Sequence, residues 1–132
     1  ILSGTLASLT GIFVLCMLFG FNHQQYVTML PKSITTAIGI GISEELGGIV
    51  TITVAVIIIT GILGNVIADT VFHIFKIKNP LAKGLALGTA SHAIGTARAI
   101  EMGPVEGAMS SLAVAVAGLL TVVFVSGFAQ LI

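Results

Sequence analysis

Three long stretches of the chain contain only uncharged, mostly apolar residues. They cover residues 1–21, 49–68 and 108–129. A hydrocarbon core about 30 Å thick needs about 20 residues of helix, because each residue of an α-helix rises about 1.5 Å. The pattern therefore predicts three helices that each cross a membrane completely.

Two further stretches, residues 33–46 and 84–100, are apolar but shorter and richer in hydroxyl residues. Pro31 precedes the first stretch, and Gly84 and Gly88 interrupt the second. Uncharged runs of about 10–14 residues are typical of re-entrant or broken helices, although a full crossing stays open. None of the segments alternates apolar and polar residues as a barrel strand would. We therefore expect an all-α integral membrane protein with three full transmembrane helices and two short re-entrant or broken helices.

The two short stretches resemble each other. A shift of 56 residues places residues 37–39 on 93–95 and residues 45–47 on 101–103, and a long apolar stretch follows each copy. We expect two repeat units, at approximately 27–75 and 83–132. If the short segments are re-entrant, the two units have opposite orientations and form an inverted repeat, a feature of transporters. If the short segments cross fully, the repeats are parallel.

Composition narrows the class of protein further. The chain has 132 residues, of which 8% are charged and 56% hydrophobic, whereas about 25% of residues are charged in ordinary soluble domains. Ten charged side chains cannot cover the surface of a soluble domain, and five basic residues balanced by five acidic ones form no stripe for nucleic acid. We expect one membrane domain over 1–132. Because the chain begins at Ile1 within an apolar segment, we expect it to be the C-terminal part of a longer chain.

Three of the five basic residues lie in one connection, residues 76–83. The positive-inside rule predicts that this loop is cytoplasmic. The single cysteine, Cys16, lies in an apolar stretch and excludes an intrachain disulfide, so we expect a buried thiol.

Hydroxyl and basic residues cluster after the predicted breaks in the short segments. The start of a helix exposes unpaired N–H groups and a partial positive charge, and two such starts facing each other form an anion site. A small carboxylate with its own hydroxyl or keto oxygen fits such a site. The alternative is that Ser33 and Thr89 only cap the helices. The candidate residues are Lys32, Ser33, Thr35, Thr36, Thr89, Ser91, His92 and Arg98.

The three basic candidates each have a second interpretation. Lys32 needs an anion or water if it lies within the membrane, or else it extends to the membrane surface. His92 either contacts a substrate oxygen or relays a proton, or it bonds to a neighbouring helix. Arg98 either binds a carboxylate or pairs with Glu101 three residues later. We find no metal-ligand spacing and no nucleophile–base set, and therefore no argument for a cofactor or an enzyme.

The two short segments are also where the chain resembles a known family. Residues 30–48 read LPKSITTAIGIGISEELGG and residues 84–114 read GLALGTASHAIGTARAIEMGPVEGAMSSLAV. Both resemble signatures of the LrgB/CidB family. The resemblance implies a protein of the bacterial cytoplasmic membrane, a holin/antiholin-like modulator of murein hydrolase activity and autolysis, and a small partner membrane protein of the LrgA/CidA type. The plastidal glycolate/glycerate translocator is similar to a fusion of the two, and some bacterial members are associated with pyruvate transport.

Three functions follow as hypotheses. The first is a transporter of small monocarboxylates such as glycolate, glycerate or pyruvate, which the candidate site favours. The second is an antiholin/holin-like homo-oligomer that controls leakage and murein hydrolase release. A pore-forming protein needs a polar stripe along a full span, whereas the polar residues here lie in the short segments. The third is a scaffold without a transported ligand.

Overall fold

The computed structural model describes residues 1–132 and is entirely helical, as predicted. It contains six helices, which are α1 (Leu2–Phe19), α2 (His23–Met29), α3 (Thr36–Glu45), α4 (Val50–Ile74), α5 (Pro80–Met102) and α6 (Pro104–Ala129).

Helices α1, α4 and α6 correspond to the three predicted spans. Their most apolar 18-residue windows have mean hydropathies of 2.0, 2.4 and 2.4, and each helix is long enough to cross a membrane. Large apolar side chains point away from the protein, including Leu18, Val66 and Val123, which are 76%, 71% and 70% exposed. Such an outer surface is unfavourable in water and suits hydrocarbon. The prediction of three membrane-spanning helices is therefore confirmed.

The short helices α2 and α3 form a hairpin. The Thr53 hydroxyl of α4 donates to the carbonyl oxygen of Thr28 in α2 over 2.9 Å and lies 2.8 Å from the Ser43 hydroxyl in α3. A methyl group built on Gly39 would lie 3.7 Å from the carbonyl oxygen of Pro31. The chain therefore reverses between the two helices, and residues 30–35 form the tip of the hairpin.

Helix α5 also reverses direction, at His92. This residue has φ 42° and ψ −137°, outside the helical region. A methyl group on Gly95 would lie 2.8 Å from the carbonyl oxygen of Leu87, although eight residues of straight helix would separate the two by about 12 Å. Helix α5 is therefore a second hairpin, with its tip at His92.

Packing against α6 confirms the reversal and corrects the predicted position of the break. Gly84 and Gly88 in the first half of α5 lie against Glu106 and Ser110. In the second half, the Thr96 hydroxyl lies 2.8 Å from the Ser110 hydroxyl. The break is thus four residues after Gly88. The two glycines stay helical because their missing side chains allow the backbone of α6 to approach closely.

The two hairpins enter the molecule from opposite ends. The first begins beside the end of α6, where Tyr26 Oη donates to the carbonyl oxygen of Phe128 over 2.8 Å. The second lies beside the start of α6, at Glu106. This arrangement favours the re-entrant alternative and is the one expected of an inverted repeat. The unit boundaries 27–75 and 83–132 stay a prediction.

The main apolar core holds the first hairpin in place. It lies between α1, α2, α3 and α6 and surrounds Tyr26, which is 0% exposed. Leu9, Leu30 and Val125 contribute to this core, and Cys16 is buried within it. The tip that follows Leu30 is therefore fixed against α1 and α6 rather than free to move.

Candidate anion-binding site

The tips of the two hairpins both approach Ile57, in the first third of α4. His92 Nε2 donates to the carbonyl oxygen of Ile57 over 2.9 Å. Gly39, just after the first tip, lies against the Ile57 side chain. Ile57 follows the start of α4 at Val50 by about 10 Å of helix. Both tips therefore lie about 10 Å along α4 from its start, within the length of a candidate membrane span.

A cavity of about 460 Å³ lies where these tips approach α1. We call it the tip cavity; its polar lining consists of Ser3, Ser8, Lys32, Ser33 and Thr89. The first tip supplies Lys32 and Ser33, and the second hairpin supplies Thr89. Three of the eight predicted site residues are thus brought together, from two segments that are more than 50 residues apart in the chain.

A short chain of hydrogen bonds orders one wall of the tip cavity. Lys32 Nζ donates to Ser33 Oγ over 2.7 Å. The Ser33 hydroxyl lies 3.0 Å from the Ser8 hydroxyl of α1. These bonds orient the ammonium group and both hydroxyls along the cavity wall.

Lys32 has no carboxylate partner. Both ion pairs of the protein belong to Arg98, which pairs with Asp69 and Glu101. A cation within the bilayer is costly unless an anion, a polar group or water compensates it. A single serine hydroxyl compensates only part of the charge. The tip cavity is therefore suited to a small anion.

Thr89 adds an unused hydrogen-bonding group to the same cavity. Its side chain is buried, with 8% of its surface exposed, and its Oγ1 has no hydrogen-bond partner in the protein. An unpaired buried hydroxyl costs about 1–3 kcal/mol. The Oγ1 atom itself exposes less than 1 Å² of surface, so a ligand oxygen reaches it only after a rotation of the Thr89 side chain. One proton of the Ser8–Ser33 pair is used between these two hydroxyls, so the pair offers one free hydroxyl donor near the Lys32 ammonium group.

The remaining hydroxyl candidates of the first tip, Thr35 and Thr36, lie at the start of α3 and are half-buried. Thr35 is the N-cap residue and makes no side-chain cap hydrogen bond. The first N–H groups of α3 have no acceptor within the helix, so this end carries a partial positive charge. The capping alternative concerns Ser33 and Thr89: the Ser33 hydroxyl instead contacts Lys32 and Ser8, and Thr89 lies inside α5 with no hydrogen-bond partner for its hydroxyl.

Ser91 and His92 face α4 rather than the tip cavity. A methyl group on Gly61 would lie 2.7 Å from the His92 ring, and Ser91 packs against Gly64. His92 uses Nε2 to hold the carbonyl oxygen of Ile57. This hydrogen bond to α4 corresponds to the second interpretation of His92 given above, a bond to a neighbouring helix.

Arg98 lies apart from the tip cavity. Its guanidinium group donates to Asp69 in α4 and, over 2.7 Å, to Glu101 in α5. The pair with Glu101 is the intrahelical alternative considered above, and Asp69 is an additional partner that the sequence analysis did not identify. Arg98 therefore ties the second hairpin to α4, and two carboxylates compensate its charge.

The sequence analysis missed the contribution of α1. Ser3 and Ser8 line the tip cavity, and a small adjoining cavity of about 10 Å³ reaches Thr5 and, in α6, Thr121. A recognisable signal exists, because Thr5 and Ser8 are three residues apart on one face of an apolar helix. Polar residues within a span usually face the protein interior.

Comparisons with known proteins support one family. The family model for the LrgB-like family matches residues 1–131. The "Antiholin-like protein LrgB" of Bacillus subtilis (strain 168) is 41% identical over 132 residues, which is 100% of this chain and 57% of the relative. Proteins of the same name from Bacillus cereus (strain B4264) and Bacillus anthracis (strain CDC 684 / NRRL 3495) are each 42% identical over 128 residues, covering 97% of this chain and 56% of theirs. The chain thus spans about 57% of the length of these relatives. No solved structure matches it.

Proposed function

The chain belongs to the LrgB-like family, and from this premise we propose that it works as an antiholin-like protein of the bacterial cytoplasmic membrane. In this role it controls leakage across the membrane and thereby the release of murein hydrolases. The observation that carries the proposal is the name of relatives that are 41–42% identical over nearly the whole chain. The apolar surfaces of α1, α4 and α6 agree with a protein that controls a pore without lining a wide one itself.

Autolysis measurements in cells test whether the protein restrains autolysis. We expect that deleting the full-length gene increases detergent-induced autolysis and murein hydrolase activity in zymograms, and that expression of the full-length protein reverses both. Unchanged autolysis after deletion, in cells with and without an LrgA/CidA-like protein, would contradict the antiholin proposal.

We also propose a protein partner for the chain and its orientation in the membrane. A small membrane protein of the LrgA/CidA type and further copies of the chain are the expected partners within the bilayer. Residues 76–83 are expected on the cytoplasmic side, because they carry Lys76, Lys78 and Lys83. Affinity purification of the full-length protein with a co-expressed LrgA-like protein tests the first point. Labelling of a Lys78→Cys variant from one side of the membrane tests the second.

A second candidate function is transport of small monocarboxylates such as glycolate, glycerate or pyruvate. The observation that favours it is Lys32, a cation without a carboxylate partner in a 460 Å³ cavity inside the membrane. The ammonium group suits the carboxylate of such an acid. The hydroxyls of Ser33 and Thr89 suit its 2-hydroxy or 2-keto oxygen. Among the residues suggested by the sequence, we propose Lys32, Ser33 and Thr89 as direct contacts, and we add Ser8.

The opposed hairpins support this candidate further. In transporters with inverted repeats, the site lies near the midplane where broken helices meet, and the repeats move around it. Here the tip cavity is lined by residues of both hairpins, Lys32 and Ser33 from the first and Thr89 from the second. Thr35, Thr36, Ser91, His92 and Arg98 then position the tips instead of touching the acid.

Uptake and leakage measurements in proteoliposomes distinguish carboxylate transport from the holin-like function. We expect saturable uptake of labelled glycolate, glycerate or pyruvate by the full-length protein, and loss of that uptake in Lys32→Gln but not in Lys78→Gln. No saturable uptake, with or without the LrgA-like partner, would end the transport proposal. Graded leakage of dyes that depends on oligomer size would instead favour the holin-like alternative.

A further inference from the structure

A second polar cavity, distinct from the tip cavity, lies where α4 ends and α5 begins. It has a volume of about 560 Å³. We call it the lysine pocket; the polar residues that line it are Asp69, His73, Lys76, Lys78 and Lys83, and Phe72 forms its inner wall. It lies at the end of the bundle opposite the first hairpin, at the expected level of lipid headgroups.

The lysine pocket has an excess of positive charge. None of its three lysines has a carboxylate within ion-pair distance, since both ion pairs of the protein involve Arg98. Asp69 is the acidic group that faces the pocket, and its carboxylate accepts from Arg98. Three lysines therefore share a concave surface with no free anion of the protein.

Helix dipoles explain the position of two lysines but not of the third. Lys76 and Lys78 follow the C-terminal end of α4, where cations are favourable. Lys83 lies in the first turn of α5, where a cation meets the positive end of a helix. Its Nζ is held 5.8 Å above the centre of the Phe72 ring, at the inner wall of the pocket. A bound anion would compensate this unfavourable placement.

An apolar groove continues from the lysine pocket towards the membrane interior. It has a volume of about 140 Å³, lies between α4 and α5, and shares Phe72 with the lysine pocket. Ile67, Val71 and Leu87 line it. A charged pocket that opens into an apolar groove matches a molecule with an anionic head and a hydrocarbon tail.

We propose that this composite surface binds one anionic phospholipid. Its phosphate lies among Lys76, Lys78 and Lys83, and one acyl chain follows the groove past Val71. Clusters of lysines next to a membrane span attract anionic headgroups, and the attraction depends on salt. Lys32 does not line this surface, although the groove shares Ala86 and Ala90 with the tip cavity. The proposal does not depend on either proposed function.

Native mass spectrometry of the full-length protein tests the proposal. The protein is purified in detergent and exposed to equal amounts of phosphatidylglycerol and phosphatidylcholine with the same acyl chains. We expect selective retention of phosphatidylglycerol. The combined Lys76→Gln, Lys78→Gln and Lys83→Gln variant should lower its affinity on the order of 100-fold, at roughly fivefold per lysine. Lys32→Gln is the matched control and should retain the lipid.

Two further arms separate a lipid from other anions. Val71→Phe fills the groove and should reduce retention while all three lysines remain; Ile67→Trp serves as a second groove variant if Val71→Phe does not fold. Glycerol phosphate, the soluble counterpart of the headgroup, should displace phosphatidylglycerol only weakly. Equal retention of the two lipids, unchanged retention in the triple variant or in a folded groove variant, or complete displacement by glycerol phosphate would overturn the proposal.

Discussion

The two hairpin tips carry similar sequence motifs but differ in how their polar groups are used. The first tip is an irregular turn of residues 30–35, and its Lys32 has no carboxylate partner. The second tip is a single bend at His92, whose ring is bonded to the carbonyl oxygen of Ile57. Arg98, the cation of the second hairpin, has two carboxylate partners. The comparison shows that the available partners, rather than the residue type, distinguish a cation without a carboxylate partner from a structural one.

The largest expected effect is that of removing the unpaired charge. We expect Lys32→Gln to weaken binding of a small carboxylate roughly 100-fold, because the carboxylate loses the ammonium group that compensates its charge in the cavity. Titration of purified full-length protein with pyruvate measures this effect. Lys78→Gln, a lysine in a different pocket, is the control. Equal affinities in Lys32→Gln and the unmodified protein would remove Lys32 from the site.

A second comparison is between one glycine of each hairpin, Gly88 in α5 and Gly41 in α3. Gly88 lies against the backbone of α6 at Ser110, whereas nothing lies within 4 Å of a methyl group built on Gly41. We expect Gly88→Leu to destabilise the protein by about 1–3 kcal/mol through overpacking and Gly41→Leu to have little effect. Thermal unfolding in detergent measures both. A similar loss of Tm in the two variants would contradict the described packing of α5.

The bend at His92 allows a finer test of the second tip. His92→Ala removes the hydrogen bond to Ile57 and keeps an unfavourable positive φ, so we expect a loss of about 1–3 kcal/mol. His92→Gly removes the same bond but tolerates φ 42° better. We therefore expect a higher Tm for His92→Gly than for His92→Ala. The opposite order, which is usual inside a helix, would mean that α5 is straight.

We expect the smallest effect from a substitution of Arg98, the cation that pairs with two carboxylates. Arg98 pairs with Asp69 and Glu101 in an exposed position, where ion pairs contribute little and salt weakens them. We expect Arg98→Gln to lower Tm slightly at low salt and not at high salt, with unchanged carboxylate binding. Loss of binding comparable to that in Lys32→Gln would assign Arg98 to the site.

Much of the fold could be predicted because the bilayer imposes simple requirements on length and hydropathy. Residues 49–68, for example, are uncharged and long enough to cross a bilayer, so a membrane span could be predicted there. The helix α4 continues beyond this stretch to Ile74, because the region after Asp69 is still apolar. The position of the second bend could not be predicted. Gly84 and Gly88 suggest a break, but the backbone of α6 lies against them and keeps them helical, and the bend falls at His92.

Residues of the candidate site could be predicted only where their immediate neighbours in the sequence determine their position. Lys32 and Ser33 follow Pro31 directly, so their place at a tip follows from the sequence. The spacing of Thr5 and Ser8 indicates that this face of α1 points towards the protein interior, but the contact of Ser8 with Ser33 joins segments 25 residues apart in the chain and could not be predicted.

The most direct test of the meeting tips is the reactivity of a cysteine at position 33. In a Cys16→Ser background of the full-length protein, we predict that Ser33→Cys reacts with a small water-soluble thiosulfonate, although the residue lies inside the membrane. Val123→Cys, on the lipid-facing side of α6, should not react. Pyruvate or glycolate should slow the reaction at position 33, and Lys32→Gln should abolish that protection. A cysteine that does not react, or one whose reaction neither acid changes, would contradict an anion site at the hairpin tips.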